Sequence, residues 1–208
     1  MEQNIGFNDR LFLTAALRSD RNSAFGANFK TVFYPKVAAS WVLSQESFFP
    51  KPQWLDQLRL RSAYGASGVQ PGTIDAVQYY SATAGRQESG DVPALVYSTL
   101  GNKNLRPERS TETEIGLDGT YWNARINTEI TYYNKLSKDA LVSKVLPPSL
   151  GTGATARLEN LGSVRNRGIE ALISAQLIQR QALGLDVTLN GAVNDNELIS
   201  LGGQPSIG

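Results

Sequence analysis

Cysteine and histidine are both absent from this chain of 208 residues. Without cysteine the chain can form neither a disulfide framework nor a thiolate metal site. Without histidine it also lacks the usual zinc ligand and the base of Ser-His-Asp and Cys-His catalytic systems. Among the carboxylate, lysine and tyrosine side chains that remain, no paired-carboxylate motif stands out. We therefore expect no enzyme, no catalytic residue, no cofactor and no metal site.

Long apolar runs and a net charge are also missing. No segment approaches the roughly 18 consecutive apolar residues that a transmembrane helix requires. The chain contains 20 Lys and Arg against 19 Asp and Glu, so no overall field would attract nucleic acid. Its first residues, MEQNIGFNDRLFL, have no signal-peptide pattern, and its last, SLGGQPSIG, have no strand pattern. We therefore expect a piece of a longer protein.

What the sequence does contain is regular alternation of apolar and polar residues. From Thr113 to Tyr121 every second side chain is apolar or small, and the pattern resumes at Ile126 after a tight turn at Trp122 and Asn123. Successive side chains of a β-strand point to opposite faces of the sheet, so a period of two predicts strands. About seven strands are predicted in this way, over residues 8–19, 35–44, 58–64, 113–121, 125–132, 167–178 and 185–194.

The connections between these strands alternate in length. Short or moderate connections lie near Lys51, Trp122 and Gln181, and long ones occupy 20–30, 66–106 and 149–166. One short rim and one long rim are typical of outer-membrane barrels. The predicted fold class is therefore all-β: an antiparallel up-and-down transmembrane β-barrel section of about seven strands, forming an incomplete barrel.

Aromatic residues concentrate near the ends of the predicted strands rather than in their middles. Tyr and Trp favour the two membrane–water interfaces, where they form aromatic girdles. We assign Trp54, Tyr121 and Trp122 to a girdle at the short rim. We assign Tyr64, Tyr132 and Tyr133 to a girdle at the long rim.

Charged residues on the predicted strands point to the face opposite the apolar one. Arg59 and Arg61 lie on one strand, and Glu112, Glu114 and Asp118 lie about two strands away. Charges are costly against lipid and ordinary in a wet lumen. These residues are candidates for ion pairs inside the barrel, and the sequence does not determine which of them pair.

The forty-residue segment 66–106 is the best candidate for ligand binding. Loops of this length are uncommon in compact domains and are usually functional. The segment contains polar and aromatic side chains that can hydrogen-bond a solute and stack on it. The candidate ligand-binding residues are Asp75, Gln78, Tyr79, Tyr80 and Arg86. The alternative is that these tyrosines only pack within the loop.

Four segments, in chain order, resemble signatures of TonB-dependent outer-membrane receptors of the SusC/RagA type. VFYPKVAASWVLSQESFF resembles the pattern FFPSxxxxWx[IL][ST]xExF, and WLDQLRLRSAYGASG resembles LxxLK[LI]RxSYGx[ST]G. NLRPERSTETEIGLDGTYWNARINTEITYYNKLSKDAL resembles NxxLxPEx[ST]xxxExG followed by a strand, a turn and YYxKxxxxL. LENLGSVRNRGIEALISA resembles xN[IL]Gx[VM]xN[KR]GxE. The resemblance spans roughly 11–195, nearly the whole chain.

The resemblance implies that residues 1–208 are part of the β-barrel domain of an active-transport receptor, integral to the cell outer membrane. The implied cargo is a large extracellular nutrient, a glycan oligomer (oligosaccharide) or a peptide. The implied partners are the TonB energy-coupling complex, membrane lipid and a SusD-like surface lipoprotein. We expect the family's plug domain and final strands to be absent. Because about seven strands cannot close a barrel of roughly 22, we expect the chain not to insert or fold stably alone.

Two other functions stay open on the sequence. A passive outer-membrane porin would have the same wall without energy coupling. A soluble β-sandwich binding module would show the same alternation, with its apolar face covered by a second layer of the chain.

Overall fold

The computed structural model describes residues 1–21, 31–72, 75–88, 90–150 and 156–202. In these ranges the chain forms ten β-strands and two short 3-10 helices, Leu43–Gln45 and Pro148–Leu150. None of the helices in the described ranges is long and apolar enough to cross a membrane. The strands are β1 Glu2–Phe7, β2 Leu11–Asp20, β3 Val32–Val42, β4 Leu55–Val69, β5 Tyr79–Gln87, β6 Gly90–Thr99, β7 Glu108–Tyr121, β8 Ile126–Val145, β9 Ala156–Arg180 and β10 Leu183–Ser200.

Eight strands form one antiparallel sheet in the order β1-β2-β3-β4-β7-β8-β9-β10, and β5 and β6 form a separate hairpin. Strands adjacent in the large sheet are consecutive along the chain, except that the β5–β6 hairpin is inserted between β4 and β7. Within the described residues β1 and β10 are each paired on one side only, so the sheet is not closed. The predicted fold class, an antiparallel up-and-down section of an incomplete β-barrel, is confirmed.

The number of strands exceeds the predicted seven. Glu2–Phe7 forms a strand that pairs with β2. The alternation does not predict it, because only Ile5 and Phe7 mark an apolar face in this short, polar segment. Asn8, predicted to begin the first strand, lies instead in the turn between β1 and β2, with a φ of 50°.

The predicted long connections contain more strand than expected. The prediction of a loop over 149–166 is wrong from Ala156 onward, where β9 begins. The segment 66–106 contains the end of β4 and the whole β5–β6 hairpin. Residues 22–30 and 151–155 of the other predicted loops lie outside the described part of the chain.

One face of the large sheet is apolar. Ile130 of β8 lies opposite Leu117 of β7 and Ala171 of β9, and the same face continues onto every neighbouring strand. We call the central part of this face the apolar band. It runs from Ile126 to Tyr132 on β8 and from Ile169 to Leu177 on β9, and it includes the positions on neighbouring strands that pair with these residues. The opposite side of the sheet is called the polar face.

The apolar band is exposed. Ile115 is 51% exposed, Ile130 47% and Leu189 65%. Within the described residues no second layer of the chain covers these side chains, so the hypothesis of a soluble β-sandwich is wrong. Exposed apolar surface of this extent needs a partner surface or lipid.

The two ends of the sheet carry connections of different length, as predicted. At the short rim, three residues join β1 to β2, four join β7 to β8, and two join β9 to β10. At the long rim, residues 70–107 separate β4 from β7. The sheet therefore has short turns at one end and a long excursion at the other.

Candidate functional site

A cluster of ion pairs lies on the polar face, at the boundary between β4 and β7. Both Arg59 and Arg61 donate to the carboxylate of Asp118, with N···O distances from 2.7 to 2.9 Å. Arg61 also donates to the hydroxyl of Thr131 on β8 at 3.3 Å. The Asp118 side chain is 13% exposed, so its desolvated charge is compensated by two guanidinium groups.

The sequence of β7 makes room for this cluster. Gly116 lies beside the Arg61 guanidinium, and a Cβ atom there would come within 2.9 Å of Arg61 Nη2. Of the three acidic candidates, Asp118 pairs with the arginines. Among the described contacts Glu112 and Glu114 have no ion pair. We expected the arginines and the acidic residues to lie two strands apart, which is wrong. The strands that carry them, β4 and β7, pair directly, because residues 70–107 leave the sheet between them.

Three aromatic residues meet at the short rim. The Trp54 and Tyr121 rings stack at 6.0 Å with an angle of 15°, and Trp122 lies 6.3 Å from Trp54. The backbone N–H of Trp122 donates to the backbone carbonyl of Trp54 at 3.0 Å. The structure thus brings together the three residues of the predicted short-rim girdle. Its membrane role stays a prediction.

The predicted long-rim girdle is wrong at one position. Tyr64 and Tyr132 lie on the apolar face, whereas Tyr133 lies on the polar face and donates to Asn194 Oδ1 at 2.7 Å. Adjacent residues of a strand point to opposite faces, so Tyr132 and Tyr133 cannot belong to the same girdle.

The β5–β6 hairpin carries part of the predicted ligand site. Gln78 Nε2 donates to the Tyr80 hydroxyl at 2.8 Å, and the Tyr80 ring lies 4.9 Å from that of Tyr97. A hydrogen bond with Tyr97, together with desolvation, raises the pKa of the Tyr80 hydroxyl. The Tyr80 side chain is nevertheless 55% exposed, so one side of the ring pair is open to a solute.

The other predicted ligand residues lie apart from this ring pair. Asp75 is engaged in its own turn, where its Oδ2 accepts the Gly72 N–H at 2.6 Å. Tyr79 follows Gln78 and, as the neighbour of Tyr80 on the strand, points the other way. Arg86 lies opposite Asp91 at the far end of the hairpin, about 20 Å along the strand from Tyr80.

Tyr97 is the residue that sequence reasoning missed. It lies in the segment DVPALVYST, which forms β6 and pairs with β5. The signal that would have predicted this strand is the short, continuous apolar run from Val92 to Tyr97, bounded by Gly90 on one side and Gly101 on the other. Once the hairpin is recognised, Tyr97 falls opposite Tyr80.

The return arm of the long excursion, residues 101–107, is fixed against β8 and β9. Leu105 is fully buried, with 0% exposure. Asn102 Nδ2 donates to the Leu158 carbonyl at 3.0 Å. Asn160 exchanges two hydrogen bonds with the backbone of Arg106 and also donates to the Asp139 carbonyl at 2.9 Å. We call these contacts the long-rim anchor.

The family described as "TonB dependent receptor-like, beta-barrel" matches residues 1–205 of the chain. The chain belongs to this family. It is 31% identical to TonB-dependent receptor P26 of Formosa agariphila and 30% identical to TonB-dependent receptor SusC of Bacteroides thetaiotaomicron, in each case over 96% of the chain. The chain spans about a fifth of the length of these curated relatives, 20% of each.

The fold is also found in a solved structure. The RagAB peptide importer in its closed-closed state superposes with a TM-score of 0.84 at 23% identity, over 96% of this chain and 22% of that one. The resemblance to SusC/RagA-type TonB-dependent receptors is therefore confirmed. The named relatives of this TonB-dependent receptor family member are receptors rather than enzymes.

Proposed function

We propose that this chain forms about a third of the barrel wall of an outer-membrane active-transport receptor. Its cargo is a large extracellular nutrient, a glycan oligomer or a peptide, and TonB supplies the energy. The observation that carries the proposal is the single-layer sheet, which exposes an apolar band on one side and holds an ion-paired polar face on the other. Such a wall suits hydrocarbon on one side and a wet, plugged lumen on the other.

The long rim is the side from which the solute arrives. In outer-membrane barrels the long loops face outward and the short turns face the periplasm. The Tyr80–Tyr97 pair on the β5–β6 hairpin offers an exposed aromatic surface, and Gln78 adds a polar group beside it. Rings of this kind stack on the C–H faces of sugars and on apolar or planar peptide groups. We extend the predicted ligand-binding set of Asp75, Gln78, Tyr79, Tyr80 and Arg86 by Tyr97.

A SusD-like surface lipoprotein is the proposed partner at this rim. The long-rim anchor supports this role, because it holds the return arm of the excursion rigid on β8 and β9. A rigid rim gives a lid protein a constant surface on which to close. Co-purification of the full-length receptor with a lipoprotein encoded beside it tests this partner.

Uptake by cells that carry the full-length receptor tests the transport proposal. Labelled oligosaccharides and peptides are supplied, and uptake is measured with and without TonB. We expect uptake of one of the two cargo classes, lost when TonB is deleted or the proton-motive force is collapsed. Uptake that persists in both conditions would instead identify a passive porin and overturn the active-transport proposal.

The ligand surface is tested separately by binding to the purified full-length receptor. Removing the exposed ring with Tyr80→Ala lowers affinity for the transported solute about tenfold, as expected for one lost aromatic stacking contact. The matched control is Tyr64→Ala, which removes a ring from the apolar face. Equal affinity of the Tyr80→Ala variant and the unchanged receptor would remove the hairpin from the proposed site.

A further inference from the structure

Beyond the apolar band, toward the long rim, the same face of the sheet becomes cationic. On β9, Arg167 lies two positions beyond Ile169, and Arg165 lies two positions further. On β7 and β8, Arg109 and Lys138 lie six residues beyond Ile115 and Tyr132, an even number that keeps them on the apolar side. We call Arg109, Lys138, Arg165 and Arg167 the cationic patch.

The patch covers three neighbouring strands. Arg109 lies directly opposite Lys138, Leu136 lies opposite Arg165, and Asn134 lies opposite Arg167. The four positions are about 7 to 20 Å along the strands from the last residues of the apolar band. Because barrel strands are tilted, their height above the band is smaller than this distance.

Half of the patch is compensated within the sheet. Arg167 Nη2 lies 2.7 Å from Asp195 Oδ2, and Arg165 Nη1 lies 3.4 Å from Glu197 Oε2. These are exposed pairs between β9 and β10, and they fix the two guanidinium groups at the edge of the patch.

The other half has no acidic partner in the described part of the chain. Arg109 and Lys138 are both exposed and face each other across the β7–β8 pair. Like charges placed directly opposite on neighbouring strands destabilise a sheet. An anion bound between the two side chains would relieve this repulsion.

We infer that the cationic patch binds the phosphate of an anionic lipid headgroup in the leaflet that surrounds the long rim. The patch lies on the lipid-facing side, beyond the edge of the apolar band, and its unpaired charges have the sign that attracts phosphate. Basic side chains just outside a hydrocarbon region recognise anionic headgroups in this way. The inference rests on the proposed function to the extent that the apolar band must lie in a bilayer.

The experiment uses the full-length receptor in neutral detergent, titrated with phosphatidylglycerol or with zwitterionic phosphatidylcholine and followed by native mass spectrometry. We expect the receptor to prefer phosphatidylglycerol. In the double variant Arg109→Gln/Lys138→Gln this preference falls about twenty-five-fold, since each basic residue contributes about fivefold. The charge-conserving variant Arg109→Lys/Lys138→Arg retains it.

Lys135→Gln is the matched control. Lys135 lies on the same strand as Lys138, three residues away and on the polar face, so its loss changes net charge without touching the patch. The inference is overturned if Arg109→Gln/Lys138→Gln keeps the preference, or if Lys135→Gln reduces it equally. If the double variant does not fold, Arg109→Gln alone is measured against an expected fivefold loss.

A second readout separates this inference from the proposed function. Brominated lipids quench tryptophan fluorescence in a receptor that spans the bilayer, whatever the headgroup. Absence of quenching would contradict the membrane-spanning wall itself. Quenching without headgroup preference would contradict the cationic patch alone.

Discussion

The side-chain amide of Asn160 pairs with the backbone of Arg106 as a neighbouring strand would. Its Oδ1 accepts the Arg106 N–H at 2.8 Å, and its Nδ2 donates to the Arg106 carbonyl at 2.7 Å. One side chain thereby satisfies both polar groups of a residue that lies outside the sheet ladder. The contact joins the return arm of the excursion to β9 across 54 residues of sequence.

Replacing Asn160 by leucine should release this arm. The change keeps the side-chain volume, removes three hydrogen bonds, and leaves the Arg106 and Asp139 backbone groups without these partners. We expect local destabilisation of about 1–3 kcal/mol. Hydrogen exchange of residues 101–107 in the full-length receptor measures it. Asn166→Leu, on the same strand but without a side-chain hydrogen bond in the described contacts, should leave exchange unchanged, and equal exchange in both variants would contradict the anchor.

Neutralising Asp118 should weaken the barrel wall. Asp118→Asn leaves two guanidinium groups facing a neutral acceptor, at a cost of about 1–2 kcal/mol because both arginines are more than a third exposed. Urea unfolding of the full-length receptor in lipid vesicles measures the change.

The control for Asp118 is Glu112→Gln, on the same strand and the same face. Because Glu112 has no ion pair among the described residues, its substitution should change stability by less than about 0.5 kcal/mol. A double-mutant cycle of Asp118→Asn with Arg61→Gln should give a clear coupling energy. Additive effects would show that the observed hydrogen bonds contribute nothing to stability.

The turn between β7 and β8 should gain stability from glycine. Trp122, Asn123 and Ala124 have φ values of 52°, 55° and 61°, a left-handed conformation that is costly for alanine. Ala124→Gly keeps the N–H that donates to Asp56 Oδ2 and should stabilise the receptor by about 1 kcal/mol. Ala171→Gly, in the middle of β9, should destabilise it by about 0.5–1 kcal/mol. A thermal unfolding series shows both, and a loss of stability in Ala124→Gly would argue against this turn geometry.

Acidic pH should destabilise the long-rim end of the β8–β9 pair, beyond the apolar band. A hydrogen bond from Arg157 lowers the pKa of the Glu159 carboxyl against the opposing effect of burial, and Lys144 at 3.2 Å adds to the lowering. A lowered pKa stabilises the folded state above the unfolded value of about 4.3. This stabilisation is lost as pH falls through the lower folded value.

Hydrogen exchange of residues 141–146, corrected for intrinsic rates, should therefore rise at acidic pH more than that of the apolar band. Glu159→Gln should abolish the difference in the corrected exchange of residues 141–146 between pH 6 and acidic pH. Glu170→Gln, an exposed position on the same strand without an ion pair in the described structure, should preserve it. The same pH response in both variants would assign the effect to another group.

Alternation of apolar and polar residues predicts the strand segments that lie in the apolar band. Within the apolar band one face must be apolar and the other polar, so residues 113–121 and 125–132 are recognised as strands, and they lie within the longer β7 and β8 except for Arg125 in the turn. Beyond the band no apolar face is required. The KLSKDA segment of β8 therefore carries no period-two signal, although β8 continues to Val145.

The candidate site was less predictable, for a different reason. Gln78 and Tyr80 are close in sequence, and their interaction follows from local spacing. The contacts of Tyr80 with Tyr97, and of Asn160 with Arg106, depend on a hairpin and a register that single residues do not reveal. Arg86 was included on composition alone, and the length of β5 places it at the other end of the hairpin.

β9 has 25 residues, of which Ile169–Leu177 lie in the apolar band, so thirteen residues from Ala156 to Gly168 continue past it. Thirteen extended residues reach about 40 Å along the strand. In the proposed barrel the part of this surplus furthest from the apolar band would stand above the lipid as a stiff collar of hydrogen-bonded sheet.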